Sequence, residues 1–190
     1  MVTPLTCRKA GKAVVEIKHG HTDGIGPAKL SWKWAQPEGA ATDFSDFGDP
    51  VGSSSYQICI YDGRGLVLAA SAQASNQFWH QLGGASSPRG FRYTNTDKPP
   101  ILDAGSLRTV TLRAGVGKKA RITARGKGIY FLQPAANSGL LQQDTNVIVQ
   151  LQRDDNPNVC WEAVYEAPPL VNSIDRFKDI FNLKSRKPLP

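Results

Sequence analysis

The chain has 190 residues, and its 23 lysines and arginines against 16 acids give it a formal charge of +7 and a pI near 9.5. Hydrophobic residues make up 40% of it, mean hydropathy is -0.34, and no run of 18 apolar residues occurs, so one soluble core is predicted and no membrane span. Three cysteines fit neither a metal quartet nor a fully paired disulfide framework. The positive charge favours anionic partners, but it is spread from Arg8 to Lys187. Nucleic acid is an unlikely partner, because the sequence lacks a recognition motif and aromatics interleaved with arginine.

Residues 1–12 read as a flexible start without the charged-then-apolar pattern of a secretory signal. One domain is predicted over 13–182, followed by a disordered basic tail at 183–190. AVVEIK is the first strand, with Val15 and Ile17 on one face. His19, His21 and Asp23 follow in a Gly-rich turn and, lacking further ligands nearby, read as solvated loop residues. In KLSWKW, Leu30, Trp32 and Trp34 alternate with Lys29, Ser31 and Lys33, the period of a half-buried antiparallel strand that puts indoles on one face and ammonium groups on the other. ATDFSDFGDP carries Asp43, Asp46 and Asp49 at a spacing of three. A calcium loop uses a spacing of two and a terminal bidentate Glu, so these acids are weak metal candidates and read better as turn and cap formers, with Phe44 and Phe47 anchoring the loop. SYQICIY sets Tyr56, Ile58 and Ile60 opposite Gln57, Cys59 and Tyr61, and the chain returns through GRG as LVLAASA. The long connection that follows holds Trp79 and His80. An exposed Trp79 would make a sugar platform, but a loop of this length more often fastens itself by burying its aromatic.

GFRYTN is another short strand. SLRTVTLRAG and KKARITARGKG form a hairpin with Val110, Leu112, Ala120, Ile122 and Ala124 inward and a basic cluster, Arg113, Lys118, Lys119, Arg121, Arg125 and Lys127, outward. Such a cluster keeps a sheet edge soluble and unpaired, or it seats an anionic partner. ARGKG lacks the third glycine and the helix of a phosphate loop. NVIVQLQ and VCWEAVYEA, joined by the turn-forming RDDNPN, make a second hairpin. In NSIDRFKDIFN, Ser173 as a cap and Ile174, Phe177 and Phe181 near helical spacing predict a short amphipathic helix. The fold class is all-β: an antiparallel β-sandwich, immunoglobulin-like or jelly-roll-like, of eight or nine short strands with a short C-terminal helix.

Taken as a set, KLSWKW, DFGDP, YQICIYDG, GFRY, KARITARGKG, VIVQLQ with NVCWEAVYEA, and a closing RFKDI resemble an uncharacterised domain of secreted and surface proteins of proteobacteria. The likeness runs from about Cys7 to Lys178. It implies an extracellular or periplasmic location and a non-catalytic β domain. It also implies a further cysteine pair near Trp79, where this chain has NQFWHQ instead. Cys59 and Cys160 both fall on the face of their strands opposite the apolar residues, where a bridge suits better than a free thiol. A Cys59–Cys160 disulfide is the first expectation; Cys7 paired with either, or three reduced thiols, stay open.

Three histidines and no G-x-S-x-G elbow argue against an enzyme. Glu162 and Glu166 share a strand face but stand about 13 Å apart, too far for a glycosidase pair. No cofactor is expected. Three functions are compatible with these residues. The first is a structural or adhesive extracellular module with an unknown protein, glycan or surface partner. The second is a carbohydrate-binding module using Trp79, with Trp34 as a lesser platform, and the third is a polyanion binder acting through the basic 108–127 hairpin.

Overall fold

Burial alternates residue by residue along AKLSWKWA and RITARGKGI, the signature of strands with one wet face. The computed structural model describes residues 7–20, 27–95, 107–132, 139–143 and 146–185. Its strands in chain order are β1 (Arg8–Lys9), β2 (Lys12–His19), β3 (Ala28–Ala35), β4 (Ala41–Thr42), β5 (Tyr56–Asp62), β6 (Gly65–Ala72), β7 (Trp79–Leu82) and β8 (Gly90–Thr94). They continue with β9 (Leu107–Arg113), β10 (Gly115–Val116), β11 (Arg121–Ile129), β12 (Asn146–Arg153), β13 (Cys160–Glu166), β14 (Val171–Ser173) and β15 (Arg176–Asn182). Helical structure among the described residues is confined to short 3-10 turns at Phe44–Phe47, Gly117–Lys119 and Leu183–Ser185.

The strands form one sheet in the order β1-β13-β12-β5-β6, a larger one in the order β14-β15-β2-β3-β11-β9-β8-β7, and a small β10-β4 ladder. Both predicted hairpins are present, β9 against β11 and β12 against β13, each antiparallel. The apolar faces of the two large sheets meet in one buried cluster. An aromatic run crosses it: Phe47 packs on Trp161 at 5.4 Å between ring centroids, Tyr56 on Trp79 at 5.4 Å, and Trp79 on Tyr93 at 5.1 Å. Two hydrogen bonds tie the layers together, from Trp32 Nε1 to Tyr165 Oη at 3.2 Å and from Trp34 Nε1 to the Glu162 carbonyl at 3.1 Å. Gly90 starts β8 at φ +144°, where an added Cβ would run into the Leu112 carbonyl, so only glycine lets β8 close on β9 there.

Four expectations need correction. The described residues hold fifteen strands rather than eight or nine, several of them pieces of two to four residues. NSIDRFKDIFN is not a helix but the hairpin β14–β15, whose second strand pairs with β2 from Arg176–Lys18 to Asn182–Lys12. Phe177 is buried while Ile174 and Ile180 are exposed, so the helical spacing of Ile174 and Phe177 is incidental and pairing to the free edge of β2 decides the conformation. Ser173, expected as a helix cap, donates through Oγ to Asp175 at 2.6 Å and closes the turn. Within the N-terminal segment, Cys7 to Lys12 belong to the fold: β1 runs parallel to β13, and Ala10 N donates to the Glu162 carbonyl at 2.8 Å.

The disulfide joins Cys7 to Cys160, not Cys59 to Cys160, and Cys59 is a buried free thiol. β12 lies between the strands carrying Cys59 and Cys160, which sets the two at least about 9.6 Å apart, beyond the roughly 7 Å a disulfide can span. Residues 186–190 of the expected tail, like His21 and Asp23, lie outside the described residues. Thiol titration of the denatured, non-reduced protein is expected to count one free thiol, and Cys7→Ser to lower the unfolding free energy by about 2 to 5 kcal/mol; three titrating thiols refute the bridge.

Candidate functional site

The outer face of the larger sheet is built by β-alternation: every residue that puts an apolar side chain into the core puts its neighbour into solvent. On β11 those neighbours are Arg121, Thr123, Arg125 and Lys127, and on β3 they are Lys29, Ser31, Lys33 and Ala35. Register sets Lys127 directly opposite Lys29, Arg125 opposite Ser31, Thr123 opposite Lys33, and Arg121 opposite Ala35. On the other side of β11, Arg121 faces Arg113 and Thr123 faces Thr111. Lys12, Lys29, Lys33, Arg92, Arg113, Arg121, Arg125 and Lys127 are all exposed. β3 and β11 are the two middle strands of the eight.

The sequence-predicted cluster is therefore brought together at Arg113, Arg121, Arg125 and Lys127. Lys119 is exposed in the neighbouring 3-10 turn, and the side chain of Lys118 lies outside the described residues. The hairpin is only part of the basic surface, because β3 and β2 extend it with Lys29, Lys33, Lys12 and Lys18. Alternation in KLSWKW already places Lys29 and Lys33 on the wet side, but no sequence signal says that β3 pairs with β11. One acid, Glu16 on β2, stands among these cations. It accepts from Arg176 at 2.6 Å and pairs with Lys18 at 3.4 Å, and the Arg176 hydrogen bond holds its carboxyl below the ordinary range.

Where Ala35 lies between Lys12 and Arg121 in register, the face runs into a cleft of about 470 Å³. Pro37 and Leu183 supply its apolar wall, and its charged lining is Lys12, Arg121 and Lys184 together with one acid, Glu38, which pairs with Lys184 at 3.7 Å.

The other candidates are placed differently. Trp79 is 1% exposed, its indole donating to the Gln73 carbonyl at 3.0 Å, and Trp34 is 2% exposed, so neither ring offers a sugar platform. Asp43, Asp46 and Asp49 do not converge: Asp46 binds Arg8 at 2.5 and 2.9 Å and accepts from Asp43 N at 2.6 Å, while Asp49 accepts from Gly52 N at 3.0 Å. Among the described residues no three His, Cys, Asp or Glu side chains are grouped as for a metal. Gly48, at φ +61°, leaves room for the Arg153 guanidinium, which donates to the Asp46 carbonyl at 2.7 Å. The DFGDP loop thus clasps both the N-terminal strand and β12. On the outer side of the smaller sheet, Glu162 is buried and paired with Lys9, and accepts from Gln150 at 2.6 Å, which consumes it structurally. Burial raises the Cys59 thiol to about 11, so it stays protonated and inert.

No family model matches this chain, and no solved structure matches it. It is similar to the ice-binding protein K1-A of Typhula ishikariensis, 32% identical over 90 residues that cover 45% of this chain and 37% of that protein. The chain thus spans well under half the length of this relative.

Two outcomes follow from these placements. Trp79→Ala is expected to cost about 3 to 5 kcal/mol in urea unfolding, as for a core ring, and a fully quenchable Trp79 in the native protein contradicts its burial. The Arg8 hydrogen bond holds the Asp46 carboxyl below its ordinary value, so its stabilisation is present above the unfolded carboxylate range and is lost as pH falls through the folded value. Asp46→Asn should therefore destabilise at pH 7 by about 1 kcal/mol, and the gap should close as pH falls below the ordinary carboxylate range, in parallel denaturation series.

Proposed function

We propose that this chain is a non-catalytic β-sandwich binding module that works outside the cytoplasm and holds polyanions on the outer face of its larger sheet. The observation that carries this reading is the placement of like charges in direct cross-strand register, Lys127 with Lys29 and Arg121 with Arg113, at the centre of the sheet. Like charges opposite each other destabilise a sheet, so selection for stability alone would alternate their signs. Protection of an edge accounts for lysines on outer strands, but β3 and β11 are paired on both sides. A surface that bears this cost is suited to a ligand that supplies the missing negative charge.

The extracytoplasmic location draws support from the Cys7–Cys160 disulfide, since such bonds persist in oxidising compartments. No helix among the described residues is long and apolar enough to cross a membrane. The partial likeness to an ice-binding protein fits a binding role without catalysis. Ice binding itself is a second reading, favoured by the opposed pairs Thr94–Thr109 and Thr111–Thr123 on the same face, whose hydroxyls can hydrogen-bond water.

Retention on a sulfated-polymer column at about 20 mM salt, with release as salt screens the face, is the expected result. The quadruple variant K29Q/R121Q/R125Q/K127Q should flow through while keeping its melting temperature. Wild-type protein that fails to bind at low salt excludes the polyanion reading. Thermal hysteresis abolished by Thr111→Val and Thr123→Val, and insensitive to the charge variant, would favour ice.

A further inference from the structure

We infer that the polyanion is a linear anionic glycan, lying along the seam between β3 and β11 with one end seated in the cleft beside Ala35. This rests on the polyanion reading and names its ligand class. Four successive steps of the seam each present a cation: Lys127 with Lys29, then Arg125 with Ser31, then Lys33 with Thr123, then Arg121 with Ala35. From Lys127 to Arg121 the track measures about 20 Å at roughly 3.3 Å per residue, the reach of a short oligosaccharide. None of Lys29, Lys33, Arg121, Arg125 and Lys127 has an ion-pair partner among the described residues. Of the acids near this track, Glu16 lies a strand away and is engaged by Arg176 and Lys18, and Glu38, at the cleft, is paired with Lys184 at 3.7 Å.

Two features select a glycan over a nucleic acid. In the two middle steps the cation stands opposite a hydroxyl, Arg125 with Ser31 and Lys33 with Thr123, so the seam offers charge to an acid group and short hydrogen-bonding groups to ring hydroxyls. The outward positions of β2, β3, β8, β9 and β11 include no aromatic side chain, whereas single-stranded nucleic acid gains much of its affinity by stacking bases on exposed rings. The cleft completes the fit. Small Ala35 leaves a gap between Lys12 and Arg121 where the two cations would flank one carboxylate or sulfate, with Glu38 in the same cleft taken up by Lys184, while Pro37 and Leu183 form a wall against a sugar ring.

Calorimetric titration with oligogalacturonate, heparin fragments and oligothymidylate of matched length tests this. Binding of one or both glycans is expected, carboxylate and sulfate being told apart by which one binds, with oligothymidylate about tenfold or more weaker. K29Q/R125Q/K127Q should lose about tenfold or more in glycan affinity while melting no lower than wild type, because it removes an opposed like-charge pair. Ala35→Phe, which fills the cleft, should weaken short oligosaccharides more than long polymer. Oligothymidylate binding as tightly as the glycans overturns the ligand class, and undiminished glycan binding by the seam variant overturns the site. Equal losses for short and long glycans with Ala35→Phe overturn the end-on placement. Absence of binding to all three probes at low salt removes the underlying polyanion reading as well.

Discussion

Two indole N–H groups set the geometry on which everything else depends. Trp32 and Trp34 are buried, and a buried N–H without an acceptor costs roughly 1 to 3 kcal/mol. Their acceptors, the Tyr165 hydroxyl and the Glu162 carbonyl, belong to the opposite layer, so both are satisfied when β3 lies across β13 in one register. Sliding β3 by one residue would turn Lys29 and Lys33 into the core and the indoles into water. The same constraint that closes the core therefore fixes which ammonium groups stand on the open face, and at what height along β11 they meet their neighbours.

Much of this could be read from the chain. Alternation in KLSWKW and KARITARGKG names strands and their wet faces, alternation in SYQICIY names the strand but not a wet face, since Cys59 and Tyr61 are buried, and the turn chemistry of RDDNPN names the β12–β13 hairpin. Periodicity does not name neighbours. It revealed the basic hairpin from Arg113 to Lys127 but not its continuation onto β3, because that pairing joins residues some ninety positions apart. The same limit misdirected the disulfide: Cys59 and Cys160 share the outer side of the smaller sheet, yet a whole strand separates them, and Cys7 reaches Cys160 through a parallel pairing of two residues. At the C-terminus, Ile174, Phe177 and Phe181 satisfy a helical template over one turn, and a seven-residue ladder with β2 outweighs it. The aspartates of ATDFSDFGDP are legible as turn and cap formers; their partners Arg8 and Arg153, far away in sequence, are not.

Charge is segregated in a way the net value of +7 hides. Asp46, Asp62, Asp155 and Glu162 are spent on clasps in the loops and on the smaller sheet, with Arg8, Arg64, Arg153 and Lys9 as partners. Among the described residues the cations at the middle of the larger sheet have no such partners, and Glu16 stands beside them on β2. Internal ion pairs thus remove the acids from the surface where they would neutralise the face, and the local positive density exceeds what composition suggests.

The covalent clip and the charged face lie on opposite layers, and this division has a consequence for affinity. The Cys7–Cys160 bond, the Asp46–Arg8 pair and the Lys9–Glu162 pair brace the smaller sheet, while the face on β3 and β11 is held by ladder hydrogen bonds, the two indole hydrogen bonds of β3 and the core beneath it. Its backbone is fixed by pairing on both sides, so a ligand meets a preset lattice and orders little main chain. Long lysine and arginine side chains remain to be ordered, at about 0.5 to 1.5 kcal/mol each, which offsets a good part of what each exposed contact contributes. Useful affinity then requires several contacts made at once, and a polymer laid along the seam makes them where a single small anion does not.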